Sequence, residues 1–357
     1  MSPATTRPSP GRILAADLRA FAEAVLEALG MPADDAAIAA DAMVYSDLRG
    51  AFGTGSNRLL QIAARSRGGG LALHADWTPV RETAATASLD AAGGWGPVAG
   101  GRGMRLAIDK ARAVGIGVVV VRDSDVTAAM GYYPALAVRE GLVGLAITNS
   151  VPLMPPWGSS QRLLGNQAFA IGAPAGHHPP LIFDSSTSAY SMGLMRAARE
   201  RGEPIPPGVA LGRDGRETTD AAEALDTLLL LPMGGHRGGG LAILWEVLTG
   251  VLSGGRTTTQ IVGMDHLDQA MGLSLFLLAL DPASFLPPDE FRARVDRLID
   301  EVHASPPAPG VTRVRVPGER KDSIAVEFER GGIPIPAPQA TAMAKLGAEL
   351  GVSFPDR

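Results

Sequence analysis

Four short runs of β-branched and small apolar residues, each closed by turn-forming residues, restrict this chain to folds with a buried sheet. They are GIGVVVVRDS (Gly115–Ser124), GLVGLAITNS (Gly141–Ser150), FAIGAP (Phe169–Pro174) and LIFDSS (Leu181–Ser186). Helical stripes flank them on both sides in sequence. Leu18, Phe21, Val25, Leu26 and Leu29 recur on one helical face closed by Gly30, and a second helix after Pro32 carries Ile38, Met43 and Val44 before Gly50. Further helices are expected over GLAILWEVLTGVLSG, DEFRARVDRLIDEVHAS and ATAMAKLGAELG, the last stopped by Gly351. The class is therefore α/β with a mixed sheet, preceded by a Pro/Ser/Thr-rich tail, expected to be disordered over residues 1–12.

Composition narrows the function. With 357 residues the chain buries a large core easily. No apolar run approaches the ~18 residues of a membrane span, and no basic leader precedes a greasy segment, so a cytoplasmic protein without membrane contact is expected. The net charge of −5 has no basic block opposing it, and aromatic residues make up only 5%, which argues against nucleic acid. Cysteine is absent, removing thiolate catalysis, disulfides and sulfur-ligated zinc. His74, His177, His178, His266 and His303 show no metal-ligand spacing, and no metal is expected.

Two glycine-rich stretches invite comparison with phosphate loops. Gly53-Thr54-Gly55-Ser56 follows a helix instead of a strand and lacks the lysine such a loop needs. Gly94-Trp95-Gly96-Pro97-Val98-Ala99 is an imperfect match, with proline where the helix should open. Both read as tight turns, because glycine admits positive φ without steric cost.

Seven segments in order resemble one family: DLRG with the following Arg-Leu (Asp47–Leu59), GYY (Gly131–Tyr133), ITNSVPLMPPWG (Ile147–Gly158), FDSSTS (Phe183–Ser188), RGEPIPPGVAL (Arg201–Leu211), PMGGHRGGGLAILWEVLTGVLSG (Pro232–Gly254) and ASPPAPGVTRVRVPGER (Ala304–Arg320). The chain is similar to the non-Rossmann malate/L-lactate dehydrogenase family, which includes sulfolactate, ureidoglycolate, diketogulonate and piperideine-2-carboxylate reductase types. That resemblance implies a helical domain built from both chain ends (13–80 with 285–357), a cofactor domain of mixed sheet (81–284), NAD or NADP as cofactor, a small-molecule substrate and a homodimer. Contacts to the cofactor are implied for Asn149, Ser150, Pro156, Trp157 and Gly158, and for Asp184, Ser186 and Thr187. His236, Arg237, Gly318 and Glu319 complete the implied set.

Within that resemblance the reactive residues depart from the family pattern. The family's Ser-His reads Gly53-Thr54, so the histidine that donates a proton to a substrate carbonyl is gone. A second family histidine aligns with Val126, the family's Thr-Asn-Pro reads Asn166-Gln167-Ala168, and a family lysine aligns with Leu194. Reducing a 2-oxo acid needs a cation for the carboxylate and an acid for the alkoxide. Arg58 suits the carboxylate, with a helix-surface or interface salt bridge as its other reading. Arg237, at a helix opening, suits a carboxylate or phosphate. Thr54 is too weak an acid to replace imidazole and at best relays a proton; a turn hydroxyl bonded to backbone is its bland reading. Asp184 is the remaining catalytic candidate, against a simple strand-end cap. The function expected is an NAD(P)-dependent oxidoreductase acting on a small carboxylate, a cyclic imine or imino acid, in specialised metabolism. The alternative is a nonredox descendant that binds a nucleotide or small acid.

Overall fold

The computed structural model describes residues 11–355. Most of the tail expected over 1–12 lies outside that range; Arg12 bonds Glu327 and the Gly332 carbonyl, both at 3.2 Å. The strands are β1 (Arg81–Glu82), β2 (Thr86–Asp90), β3 (Ile116–Ser124), β4 (Val143–Thr148), β5 (Phe169–Ala173), β6 (Leu181–Ser185) and β7 (Leu273–Leu280). The helices are α1 (Ala15–Leu29), α2 (Ala33–Leu48), α3 (Arg58–Gly68), α4 (Gly96–Val114), α5 (Tyr132–Arg139) and α6 (Met192–Arg201). They continue with α7 (Ala221–Thr227), α8 (His236–Glu246), α9 (Pro288–Ala304), α10 (Glu319–Gly331) and α11 (Ala337–Glu349).

One seven-stranded sheet runs in the order β1-β2-β3-β7-β4-β5-β6. Only β2 and β3 are parallel, and α4 is the crossover between them. All four expected strands are present, each within a residue or two of its expected bounds. The central strand β7 was not among them. Its sequence LSLFLLAL is buried along nearly its whole length, and an unbroken apolar run carries no period to separate a strand from a buried helix. Its place explains the run: α4 covers one sheet face with Met104, Ala107 and Ile108, while Trp245 and Leu248 from α8 and the turn after it cover the other. The expected helix over 240–254 continues from α8 through a π-helical turn, Val247–Val251.

The apolar faces of α1, α2, α3, α10 and α11 close on one another. Leu18, Phe21, Met43, Ile62, Ala325 and Met343 share one cluster of buried side chains. Ile13 and Ile333 exchange backbone hydrogen bonds of 3.1 and 2.7 Å, pairing the two chain ends directly. A separate cluster, with Met154, Leu164, Met195, Val209 and Leu230, lies within residues 154–242.

The stretch around Gly53 is a turn as expected, with Phe52–Thr54 in a short 3₁₀ turn, whereas the second stretch runs into a helix. Gly96 opens α4, and Pro97 sits in its first turn, where a missing N–H costs nothing. A phosphate has no room there: a Cβ on Gly96 would lie 2.4 Å from the Val126 carbonyl oxygen, so the helix N-terminus is filled by the chain after β3. Gly53 and Gly55 do not have positive φ. Gly55 is required by close approach instead, since its Cβ would lie 1.7 Å from Oδ1 of Asp47.

Helix α3 is tied to the sheet by Arg65, whose side chain is fully buried. Its Nε donates to Asp125 at 2.9 Å and its NH2 lies 2.8 Å from the same carboxylate. The remaining N–H groups reach the carbonyls of His266 (2.6 Å), Gly70 (2.9 Å) and Gln269 (2.9 Å). Removing one partner of a buried pair strands the other charge, at a cost of ~3–5 kcal/mol. Arg65→Met is therefore expected to lower stability by about that amount, and by more than Asp125→Asn, whose amide oxygen still accepts from Arg65. Urea unfolding midpoints of the two variants check the order.

Candidate active site

The DLRG stretch at the end of α2 organises the first part of the site. Asp47 turns back under the following loop, where its Oδ2 accepts the Ser56 N–H at 2.8 Å, while its Oδ1 is buried without a hydrogen-bond partner. Burial pushes the Asp47 carboxyl up to about 7, against the opposing hydrogen bonds from Ser56. Arg49 leaves in the other direction, stacking on the Tyr45 ring at 3.7 Å and pairing with Asp322 of α10 at 3.3 Å. The motif is thus a joint: its carboxylate holds the loop and its guanidinium holds the C-terminal helix.

The loop delivers Thr54 and Arg58 to the site. Thr54 ends a short 3₁₀ turn, and its hydroxyl donates to the Ala51 carbonyl at 3.0 Å, the turn role described above. Arg58 opens α3. It contacts Gln61 Oε1 and the Met264 sulfur, and its Nε is buried without a partner. Burial lowers the Arg58 pKa; Asp125 opposes that shift and the like charge of Arg196 on α6 adds to it. Asp125 is itself raised by burial, against the pull of Arg65. Val126, at the second family-histidine position, is half-buried and packs with Ile261, Met271 and Leu273. Ala128, two residues on, holds a φ of 55°, the left-handed region that favours glycine.

A second group of residues gathers at the N-terminus of α8. Pro156, Trp157 and Gly158 line a cavity of about 390 Å³ with Leu211, Gly215 and Pro232. Trp157 is 59% exposed and meets His236 edge-on, with ring centroids 6.4 Å apart. His236 and Arg237 are exposed in the first turn of α8, with no ion pair or side-chain hydrogen bond among the described residues. Close packing explains the glycines here: a Cβ on Gly238 would lie 2.3 Å from the Met233 carbonyl oxygen. Thr187 joins this group through backbone, accepting from Met233 N–H at 2.8 Å, while its own N–H and hydroxyl donate to the Asn166 carbonyl. Ser186 and Ser188 pair through their hydroxyls at 2.9 Å, and Ser150 bonds Asn166 at 3.0 Å.

Asn149 stands apart in kind. Its amide is fully buried, accepting from Ser274 N–H at 2.7 Å and donating to Glu246 at 3.1 Å and to the Arg256 carbonyl at 3.0 Å. These bonds lock β4, β7 and α8 together and engage both of its side-chain donors and its carbonyl oxygen in structure.

Asp184 and Gly318 lie in a third place. They line a cleft of about 190 Å³ with Arg315, Arg320 and Lys321, and Lys321 bonds Asp184 at 3.0 Å. Glu319, the first residue of α10, accepts from Val316 N–H at 3.2 Å and engages Arg313 and His303. The expected site residues are therefore distributed over three groups in the chain. Arg65, Asp125, Arg196 and Lys321 were not anticipated. Arg65 had one visible signal, an arginine on the same helical face as Leu59 and Ile62; the others pair across distant segments, which spacing alone cannot show.

The raised carboxyl of Asp47 has a signed consequence. A carboxyl whose pKa rises from 3.8 to about 7 on folding binds its proton more tightly in the fold, so its stabilising contribution is present at low pH and is lost as pH climbs through 7. Asp47→Asn, neutral at every pH, should remove a component on the order of 4 kcal/mol from the stability difference between pH 4 and pH 8. Unfolding curves of both proteins across that range check it; parallel curves would place Asp47 as an ordinary ionised cap.

Comparison with known proteins accounts for the arrangement. Residues 13–344 match the family described as malate/L-lactate dehydrogenase. A malate dehydrogenase of Pyrococcus horikoshii is 34% identical, over 94% of this chain and 94% of its own. A Δ1-pyrroline-2-carboxylate reductase of Ancylobacter novellus is 33% identical, over 95% of this chain and 98% of its own. The solved sulfolactate dehydrogenase of Methanocaldococcus jannaschii superposes with a TM-score of 0.90 at 32% identity, over 96% of this chain and 98% of its own. With its fold, its ordered motifs and nearly its whole length shared with these proteins, the chain belongs to the malate/L-lactate dehydrogenase family of NAD(P)-dependent oxidoreductases.

Proposed function

We propose that this protein transfers hydride between a nicotinamide cofactor and a small cyclic imino acid. The observation that carries the reading is the character of the group around Arg58. Its unpartnered guanidinium nitrogen lies in the field of a second cation, Arg196, while the two family-histidine positions hold a tied-down hydroxyl and an apolar side chain. Such a site attracts a carboxylate and lacks an imidazole to protonate an alkoxide. A cyclic iminium needs no such donor at the reacting centre, because its nitrogen is already protonated and hydride addition leaves a neutral amine. The relative named as a Δ1-pyrroline-2-carboxylate reductase supports this substrate class.

The residues at the start of α8 fit NAD or NADP. Bare backbone N–H groups at a helix N-terminus, with Arg237 unpaired beside them, suit a phosphate, and the exposed Trp157 ring offers a flat apolar surface. The cofactor supplies the hydride when bound. Arg237 and the helix opening would hold its phosphates, Trp157 and His236 would bound its rings, and Arg58 would orient the substrate carboxylate. On the same reading Asp184, neutralised by Lys321, helps shape the neighbouring cleft rather than moving a proton. A nicotinamide-dependent reaction belongs with the cytoplasmic cofactor pool, the location we propose.

Nicotinamide absorbance during incubation with cyclic imino acids and with 2-oxo acids tests the assignment. Turnover of Δ1-pyrroline- or Δ1-piperideine-2-carboxylate should exceed that of pyruvate or oxaloacetate by ~10²-fold or more, the range a general acid typically contributes. Arg58→Ala should weaken substrate binding by about 1.5–3 kcal/mol, with Arg58→Lys intermediate, while cofactor affinity stays nearly unchanged. Robust turnover of 2-oxo acids would sink the imine reading; cofactor binding without turnover of any candidate would favour a nonredox role.

We further propose a homodimer. Leu244, Val247, Val251 and Leu252, on α8 and the segment after it, are each between 44% and 59% exposed. Leu244, Val247 and Val251 are spaced by three and four residues, with Leu252 beside the last, an apolar stripe of the kind that marks a contact between chains. Sedimentation at micromolar concentration should give a dimer for the native chain and a monomer for Leu244→Asp with Val251→Asp; a native monomer would refute it.

A further inference from the structure

The β5–β6 connection carries adjacent histidines, His177 and His178, and the structure brings them against α9. The centre of the arrangement is Asp296, whose side chain is only 9% exposed. Its carboxylate accepts backbone N–H bonds from Gly176 at 3.0 Å, His177 at 3.0 Å and His178 at 3.2 Å, and receives Nδ1 of His177 at 2.9 Å. Three successive N–H groups folded around one carboxylate fix the backbone of the histidine pair, and the rings lie with centroids 4.2 Å apart. A carboxylate is acceptor-only when ionised, so the His177 tautomer bonded to Asp296 carries its proton on Nδ1 and leaves the Nε2 lone pair free. One turn further along α9, Asp300 lies 2.8 Å from Nε2 of His178. One nitrogen from each histidine and one oxygen of Asp300 all lie within 4.8 Å of one another.

We propose that His177, His178 and Asp300 bind a divalent transition-metal ion of the zinc type, fastening the β5–β6 connection to α9. Two imidazoles and a carboxylate suit zinc, nickel or copper and do not suit magnesium or calcium, which take oxygen ligands. Metal–ligand bonds of 2.0–2.2 Å at tetrahedral angles place ligand atoms ~3.3–3.5 Å apart, so the His178–Asp300 pair opens by about half an ångström to admit the ion. Asp296 acts from behind: a carboxylate on the far nitrogen of a ligating histidine orients the ring and raises its basicity. His303 remains outside the set, with its Nε2 held by Glu319 at 3.2 Å. His177 and Asp300 are 67% and 59% exposed, which leaves the remaining coordination positions to water. The site is independent of the groups assigned to the reaction.

Titration calorimetry and thermal melting of the full chain, without a histidine tag, test the site. Zn²⁺ should bind at one equivalent and raise the melting temperature by a few degrees, with Mg²⁺ giving no shift. Affinity should fall at least tenfold in Asp300→Asn and further in His177→Ala with His178→Ala, and it should be lost at pH 5.5 as the imidazoles protonate. His266→Ala, on a different loop, should bind as the native chain does. Absence of zinc binding at millimolar concentration, or binding that survives the double histidine substitution, would overturn the proposal.

Discussion

Much of the architecture depends on one buried ion pair. Arg65 projects from α3 into the junction of three segments that the hydrophobic effect alone would leave loosely joined: the helical cluster, the end of β3, and the loop before β7. Taking a guanidinium and a carboxylate out of water is expensive, and the cost is offset only when every N–H finds an acceptor. Asp125 and the carbonyls of Gly70, Met264, His266 and Gln269 meet that requirement. An apolar side chain of similar volume would fill the space but leave those carbonyls unbonded. The pair thereby fixes the register between α3, which carries Arg58, and the segment that carries Val126, so the two sides of that group are set by one contact.

The same frame separates positions that carry the fold from positions that carry little of it. Thr54 completes its turn with a hydroxyl bond, and Val126 adds to an apolar cluster. Asp47, Arg49, Gly55 and Asn149, by contrast, are fixed by close approach or by hydrogen bonds to distant segments, and there a substitution would disturb several elements at once. Ala128 is the intermediate case, keeping a backbone conformation natural to glycine at a modest cost in strain.

Legibility in the sequence followed the locality of the forces. Gly30 closes α1 in a left-handed conformation and the four β-branched runs form strands, because capping and strand patterning are decided within a few residues. The central strand β7 was hidden by its own burial, since apolar residues on both faces erase the period-two signal. Among site residues, motif position correctly located the hydroxyl bond of Thr54 and the helix-opening place of His236 and Arg237. It missed Lys321 opposite Asp184, separated by 137 residues, and the Arg65–Asp125 pair, separated by 60. Long-range charge pairs leave no local trace. Adjacent histidines gave no metal-ligand spacing for the same reason, because their partner Asp300 lies on a helix more than a hundred residues away.

The backbone exchange between Ile13 and Ile333 constrains how the chain is made. Helices α1 to α3 bury their apolar faces against α10 and α11, which are synthesised more than two hundred residues later. At ~5–20 residues per second, the early helices remain exposed on the ribosome for tens of seconds before their partners emerge. Contacts between the chain ends also raise the contact order, and ordering waits on the closure of a loop more than three hundred residues long. Until that loop closes, the apolar faces of the early helices are open to aggregation.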